Sequence, residues 1–259
     1  MTYQIALAGK GGTGKTTTAT LALRYLLEKG LQPVLAVDAD ANANLNEMLG
    51  VPIAHTVGEA REEMKTSVPT GMTKEIFMEY RIQEALVESE GFDLIAMGRP
   101  EGAGCYCYAN NLLAKYLEIL LKNYRYTVID NEAGLEHISR LTTKDVDLML
   151  VVTDPSRRGV RTAERIRDLT QELGLNVGNL QVVVNRSIGD LDPGLQSEIQ
   201  DRGLQLGGVI PADDQVLRFD LEGRPMIELP SDSAAVRAVF QIMERLLDGG
   251  DRRTASSAP

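Results

Sequence analysis

Short continuous apolar runs alternate with longer segments of helical periodicity along most of the chain. Residues 3–8 (YQIALA) predict a strand and a glycine-rich turn follows. Residues 15–29 then predict a helix with Ala22, Leu23, Leu26 and Leu27 as its apolar stripe and Gly30 as its stop. Residues 33–38 predict the next strand, and the alternation returns with strands near 92–97, 125–130, 146–152, 180–185 and 206–210. Strands that are apolar throughout, rather than at every second position, belong to a parallel sheet covered on both faces. Residues 110–122, 157–173 and 231–247 predict further helices, with Ser231 as a cap for the last. Between 51 and 90 two helical segments are interrupted by SVPTGM, which reads as an elaboration on one side of the sheet. The pattern predicts an α/β fold: one doubly wound domain over 1–248 with a mostly parallel central sheet of about seven or eight strands. The polar end, 249–259, predicts a flexible tail.

Composition narrows the classes. At 259 residues with 43% hydrophobic side chains, the chain can bury a substantial core without disulfides or metals. A formal charge of −10 argues against a protein whose main task is coating a nucleic-acid backbone, so no nucleic-acid partner is expected. No apolar run is long enough to span a bilayer and the first residues carry no basic leader, so no membrane anchor and a cytoplasmic location are expected. Two cysteines, Cys105 and Cys107, exclude a disulfide scaffold.

The most specific chemistry lies between the first strand and the first helix. Gly9-Lys10-Gly11-Gly12-Thr13-Gly14-Lys15-Thr16 satisfies GxxxxGK[ST], the P-loop pattern, in the context that the pattern requires. Its glycines let backbone N–H groups curl around phosphate oxygens while the helix start adds a favourable dipole. Lys15 is expected to reach the β- and γ-phosphates of ATP, Thr16 to enter the Mg²⁺ shell and Thr17 to approach the α-phosphate. Acidic residues stand where two strands end: Asp38 and Asp40 after VLAV, and Asp130 after YTVI. Carboxylates at C-terminal strand ends of a parallel sheet converge on the phosphate crevice. Asp130 is suited to hold Mg²⁺, Asp38 to support that shell and Asp40 to orient the attacking water. For the base, Asn185 at the end of QVVVN can offer its amide to adenine, or else close a turn on its own backbone. Position 188 is isoleucine, so the aspartate of a guanine-reading NKxD is missing and ATP is favoured over GTP.

The second lysine of the loop, Lys10, makes the motif resemble the deviant Walker A box, KGGxGKT, of the MinD/ParA/nitrogenase-iron-protein superfamily. The resemblance implies that Lys10 crosses an ATP-bound homodimer interface to the partner's nucleotide. It also implies that residues 38–45 are switch I, that 130–134 (DNEAG) are switch II, and that Pro211 to Asp213 lie near the base or ribose. Ala41 replaces the superfamily's commoner proline.

An extended CxC segment puts both sulfurs on one side. By spacing alone, Cys105 and Cys107 are either two reduced structural cysteines or half of a four-sulfur site on a twofold axis, suited to Zn²⁺ or Ni²⁺. GRPEGAGCYCYANNLL and DNEAGLEHISR resemble the CooC family of nickel-insertion ATPases. That resemblance implies ATP-controlled delivery of Ni by a homodimer, with carbon monoxide dehydrogenase or a related nickel enzyme such as acetyl-CoA synthase as client. Glu132 and His137 then stand near the site, as tuning or transient groups or as ordinary surface residues. Two other readings share the nucleotide elements: a ParA- or MinD-like positioning ATPase, and an ATP-dependent iron–sulfur reductase.

Overall fold

The computed structural model describes residues 2–40, 42–98, 115–131 and 145–254, and of residues 65, 66 and 248–254 it describes the backbone alone. Strand β1 (Tyr3–Ala8) leads through the glycine-rich turn into α1 (Lys15–Glu28), and β2 (Val34–Ala39) leads into the short α2 (Leu45–Leu49). Helices α3 (Val57–Thr66) and α4 (Lys74–Ala85) precede β3 (Leu86–Glu88) and β4 (Phe92–Ala96). Helical residues 115–121 (α5), β5 (Tyr126–Asn131), β6 (Asp145–Thr153) and α6 (Arg157–Glu172) follow. The chain closes with β7 (Asn176–Ser187), α7 (Pro193–Asp201), β8 (Leu206–Pro211), α8 (Asp214–Glu222) and α9 (Ala234–Thr254).

Among the described residues eight strands form one sheet in the order β3-β4-β2-β5-β1-β6-β7-β8. Every pairing is parallel except β3 on β4. The expected architecture is therefore present, and β1 sits at its centre between β5 and β6, where the strand order reverses. That reversal opens a crevice beyond the C-terminal strand ends, the usual ligand position of such sheets.

Alternation along β1 shows why its strand reads as apolar throughout. Ala6 and Ala8 pack into the core under α3, α4, α6 and α7, whereas Ile5 and Leu7 pack into the core under α1, α2 and α9. All four are fully buried. Burying one such large aliphatic side chain contributes roughly 1.5–3 kcal/mol, so the two-sided core holds the strand ends, and the loops beyond them, in a fixed frame.

Three elements differ from the sequence expectation. The helical pattern over 73–89 stops at Ala85, because Leu86–Glu88 turns through Gly91 (φ 87°) and pairs antiparallel with β4. Strand β7 begins at Asn176, earlier than residue 180, because β6 offers a partner from Asp145 onward. The last helix starts after Ser233, whose Oγ accepts from Val236 N at 3.2 Å, while Ser231 accepts from Arg24 instead. It also runs through Thr254, into the residues expected as tail, since no proline interrupts it before 259.

Candidate nucleotide site

The loop between β1 and α1 is shaped by contacts that admit only glycine at two places. A β-carbon on Gly9 would lie 2.2 Å from the Val152 carbonyl oxygen of β6. Gly14, at φ 89°, caps α1 with no side-chain hydrogen bond, and a β-carbon there would lie 2.3 Å from Asn185 Nδ2. The first N–H groups of α1 consequently have no side-chain cap, which is the arrangement of an anion site. Within the loop the Lys10 carbonyl accepts from Thr13 N (3.4 Å), Thr13 Oγ1 (2.9 Å) and Lys15 Nζ (3.3 Å). Lys15 is 8% exposed, so its ammonium is presented from a largely desolvated stem. Beside it opens a cavity of about 760 Å³, bordered by Gly11, Gly12, Thr16 and Thr17 on the phosphate side and by Ile210, Pro211 and Val216 on the other. The Lys10 side chain is exposed and borders a second cavity of about 460 Å³ between the loop and the start of α6.

The carboxylates converge through strand register. Asp38 and Asp130 are direct partners across β2 and β5, and Leu7 of β1 is the next neighbour of Asp130. Asp130 is 2% exposed and hydrogen-bonded to the Thr16 side chain; its Oδ1 is buried without a hydrogen-bond partner. Burial, with Asp38 adding repulsion, pushes its pKa up to about 7 despite Thr16 and Lys15 nearby. A carboxylate kept dry with one oxygen unspent, next to a hydroxyl, is the donor set of a hard divalent cation, so the residues fit Mg²⁺. Asp38 is differently used. Its two oxygens accept from Asp40 N (3.0 Å) and Leu45 N (2.9 Å), fastening the loop between β2 and α2, and burial raises it to about 6. Asp40 is half-buried, accepts from Asn42 N at 2.8 Å and borders the larger cavity.

On the base side the expected residues are present and hydrogen-bonded within the protein. Asn185, also 8% exposed, donates from Nδ2 to the Thr13 carbonyl at 2.8 Å and accepts from Arg186 N at 2.9 Å. Asp213 caps α8, accepting from Gln215 N (2.8 Å), Ser233 Oγ (2.6 Å) and Ala235 N (2.9 Å). Its pKa is lowered by those hydrogen bonds, which outweigh its burial. Pro211 ends β8 opposite Ser187 of β7. Two residues were missed by sequence reasoning. Arg186 reaches the Gly12 carbonyl at 3.1 Å, and Asn131, 1% exposed, donates to the Leu7 carbonyl at 2.8 Å. The only signal for either was its place beside Asn185 or Asp130. Cys105, Cys107, Glu132 and His137 lie outside the described residues.

With this geometry in place, the comparison with known proteins is decisive for the family. Residues 5–226 match the family model described as CobQ/CobB/MinD/ParA nucleotide binding domain. The chain belongs to that family. Its relatives include an uncharacterized ATP-binding protein of Methanocaldococcus jannaschii, 42% identical over 94% of this chain and 98% of that protein. The septum site-determining protein MinD of Bacillus subtilis is 26% identical over 94% of this chain and 88% of its own length. Among solved structures, MinD of Pyrococcus horikoshii, complexed with Mg-ADP, superimposes with a TM-score of 0.69 at 23% identity over 95% of this chain and 96% of that one. The chain thus has the ATPase fold of this P-loop family.

The narrower expectation of a nickel-insertion ATPase is corrected. The carbon monoxide dehydrogenase accessory protein CooC of Rhodospirillum rubrum is 33% identical over 87% of this chain and 90% of its own length. Another uncharacterized ATP-binding protein of M. jannaschii reaches the same 33%, and the likeness extends over nearly all of this chain to MinD proteins, so it does not single out metal delivery. Among the described residues no group of three or more His, Cys, Asp or Glu side chains can hold a metal ion. The broad MinD/ParA likeness replaces the nickel reading, and with it the implied Ni or Zn cargo and nickel-enzyme client.

Proposed function

We propose that the protein is a Mg²⁺-dependent ATPase of the MinD/ParA type, a positioning ATPase in which nucleotide state controls pairing with a second copy and engagement of a partner protein. The observation that carries the catalytic part is the dry Asp130 carboxylate with an unspent oxygen, hydrogen-bonded to Thr16 one residue after Lys15. The positioning part is supported by family membership and by a likeness to septum site-determining proteins that covers 94% of this chain.

In this reading the N–H groups at the uncapped start of α1, together with Lys15, bind the terminal phosphates of ATP. Thr16 and Asp130 would hold Mg²⁺, with Asp38 fixing the neighbouring loop. When bound, Mg²⁺ offsets charge on the transferring phosphoryl group. Asp40 orients the attacking water from the cavity rim, and it need not be a strong base. Lys10, exposed on the free side of the loop, supplies charge to the nucleotide of a second copy. Loss of the γ-phosphate then releases the loop between β2 and α2, which Asp38 and Asp40 hold beside it.

Phosphate release and light scattering, measured on the same samples, test this reading. Wild-type protein is expected to hydrolyse ATP only with Mg²⁺ and to pair with ATP but not with ADP. Lys15→Ala should lower kcat/KM at least about 100-fold. Lys10→Ala should retain binding and lose pairing. Absence of Mg²⁺-dependent hydrolysis in the wild type would sink the ATPase assignment, and hydrolysis without any change of mass would remove the pairing step.

A further inference from the structure

Two consecutive carbonyls of the phosphate loop are held from outside the loop, and both holds come from one dipeptide at the end of β7. Asn185 donates to the Thr13 carbonyl at 2.8 Å and Arg186 to the Gly12 carbonyl at 3.1 Å. Neighbouring side chains of a regular strand point to opposite faces, so a plain strand end cannot do this. Here the β7–β8 ladder shifts register between Val184 and Ser187, and Arg186 adopts φ 59°, a conformation costly for any residue with a β-carbon. The irregularity is what brings both side chains to one loop.

The dipeptide uses one N–H and one lone pair of the Asn185 amide, half of its hydrogen-bonding capacity. Nδ2 is on Thr13, and Oδ1 accepts the Arg186 N–H at 2.9 Å. The side chain is buried, and it stands where any side chain at position 14 would have to go, so Gly14 is obligatory partly because of it. Together with the three donors on the Lys10 carbonyl, the holds commit the carbonyls of residues 10, 12 and 13. A loop whose carbonyls are committed enters binding with its conformational cost already met.

We propose that Asn185 and Arg186 form a clamp that sets the P-loop in its phosphate-binding shape before nucleotide arrives, making Asn185 a positioning residue for the loop. The proposal rests on the nucleotide reading above and deepens it. The opposite wall of the cavity is formed around Pro211 and Ala212. That wall is tied to the same segment, because Ala212 N donates to the Ser187 carbonyl at 2.9 Å. Phosphate cradle and opposite wall thus hang on three successive residues, 185 to 187.

The test is hydrogen–deuterium exchange on the full, nucleotide-free chain, paired with ATP affinity, for wild type, Asn185→Ala and Arg186→Gly. Peptides covering residues 9–16 are expected to exchange about 10-fold faster in Asn185→Ala and about 3-fold faster in Arg186→Gly, the size of one lost hydrogen bond. Peptides from β2 and β6 should be unchanged. ATP affinity should fall by a similar factor in each variant. Arg186→Gly should melt no lower than wild type, since glycine relieves the positive φ, and that separates the clamp from general destabilisation. If Asn185→Ala fails to fold, the exposed Arg186 still decides the matter. Unchanged exchange over residues 9–16 in the folded variants overturns the clamp, and unchanged exchange with lost ATP affinity in Asn185→Ala returns Asn185 to the base. A wild-type chain that does not bind Mg²⁺-ATP defeats the nucleotide reading instead, independently of the exchange result.

Discussion

At Gly14 a backbone angle of +89° and a gap that admits only hydrogen meet at the start of α1. Gly14→Ala is expected to cost about 2 kcal/mol of stability, from the positive φ and the displaced Asn185, and to weaken ATP binding; urea denaturation with nucleotide titration checks both. The carboxylates give a pH signature. Burial raises Asp130 to about 7 and Asp38 to about 6, so the folded chain holds protons that the unfolded chain has already released. Their contribution to stability is full below about pH 4 and is lost as pH rises through 6 and 7. The melting temperature of nucleotide-free protein should therefore fall between pH 5 and pH 8, with Asp130→Asn flattening the fall. That variant should be more stable at pH 8 by on the order of 2 kcal/mol while losing Mg²⁺-dependent hydrolysis. Lys15, Thr16 and Asp130 were legible in the sequence because phosphate chemistry demands those types at those spacings. Arg186 was not, because its reach depends on a positive φ and a ladder shift that no residue pattern announces.

Element boundaries repeat that contrast. Strands of the central sheet declared themselves by continuous apolar runs, since both faces are covered. The start of α9 did not, because Ser231 and Ser233 both suit a cap and the choice is made by Asp213, distant in sequence, which accepts from Ser233 Oγ and Ala235 N. Asp213 thereby joins α8 to α9, a structural use of a residue expected near the base or ribose. Asp213→Ala should cost roughly 2–3 kcal/mol through two helix starts, and Ser233→Ala about 1 kcal/mol, both read by chemical denaturation. Since hydrogen bonds lower the pKa of Asp213, its stabilising share is present above the ordinary carboxyl range and is lost as pH falls through its own depressed value, opposite in sign to Asp130. Strand β3 escaped notice because three residues of LVE continue the helical pattern of α4, and only pairing with β4 makes them a strand.

Across the whole molecule, binding that favours the folded state is measurable as stability. ATP with Mg²⁺ at about 100 times its dissociation constant should add about 2.7 kcal/mol, a rise of roughly 5–10 °C in melting temperature for a chain of this size; Lys15→Ala should abolish the rise in a thermal scan. Fold class and nucleotide chemistry were readable at this scale because alternating strands and helices place every strand end on one crevice. The nickel assignment failed because it leaned on two local stretches, 98–113 and 130–140, whereas the likeness that identifies the family runs through most of the chain and is shared with MinD proteins. One border of the sheet is β3, three residues long and reversed against its neighbour. So short a margin offers another molecule little unpaired backbone to dock against. Edge-to-edge growth of a fibre by backbone pairing between copies has little purchase there, so contact along that margin has to be built from side chains.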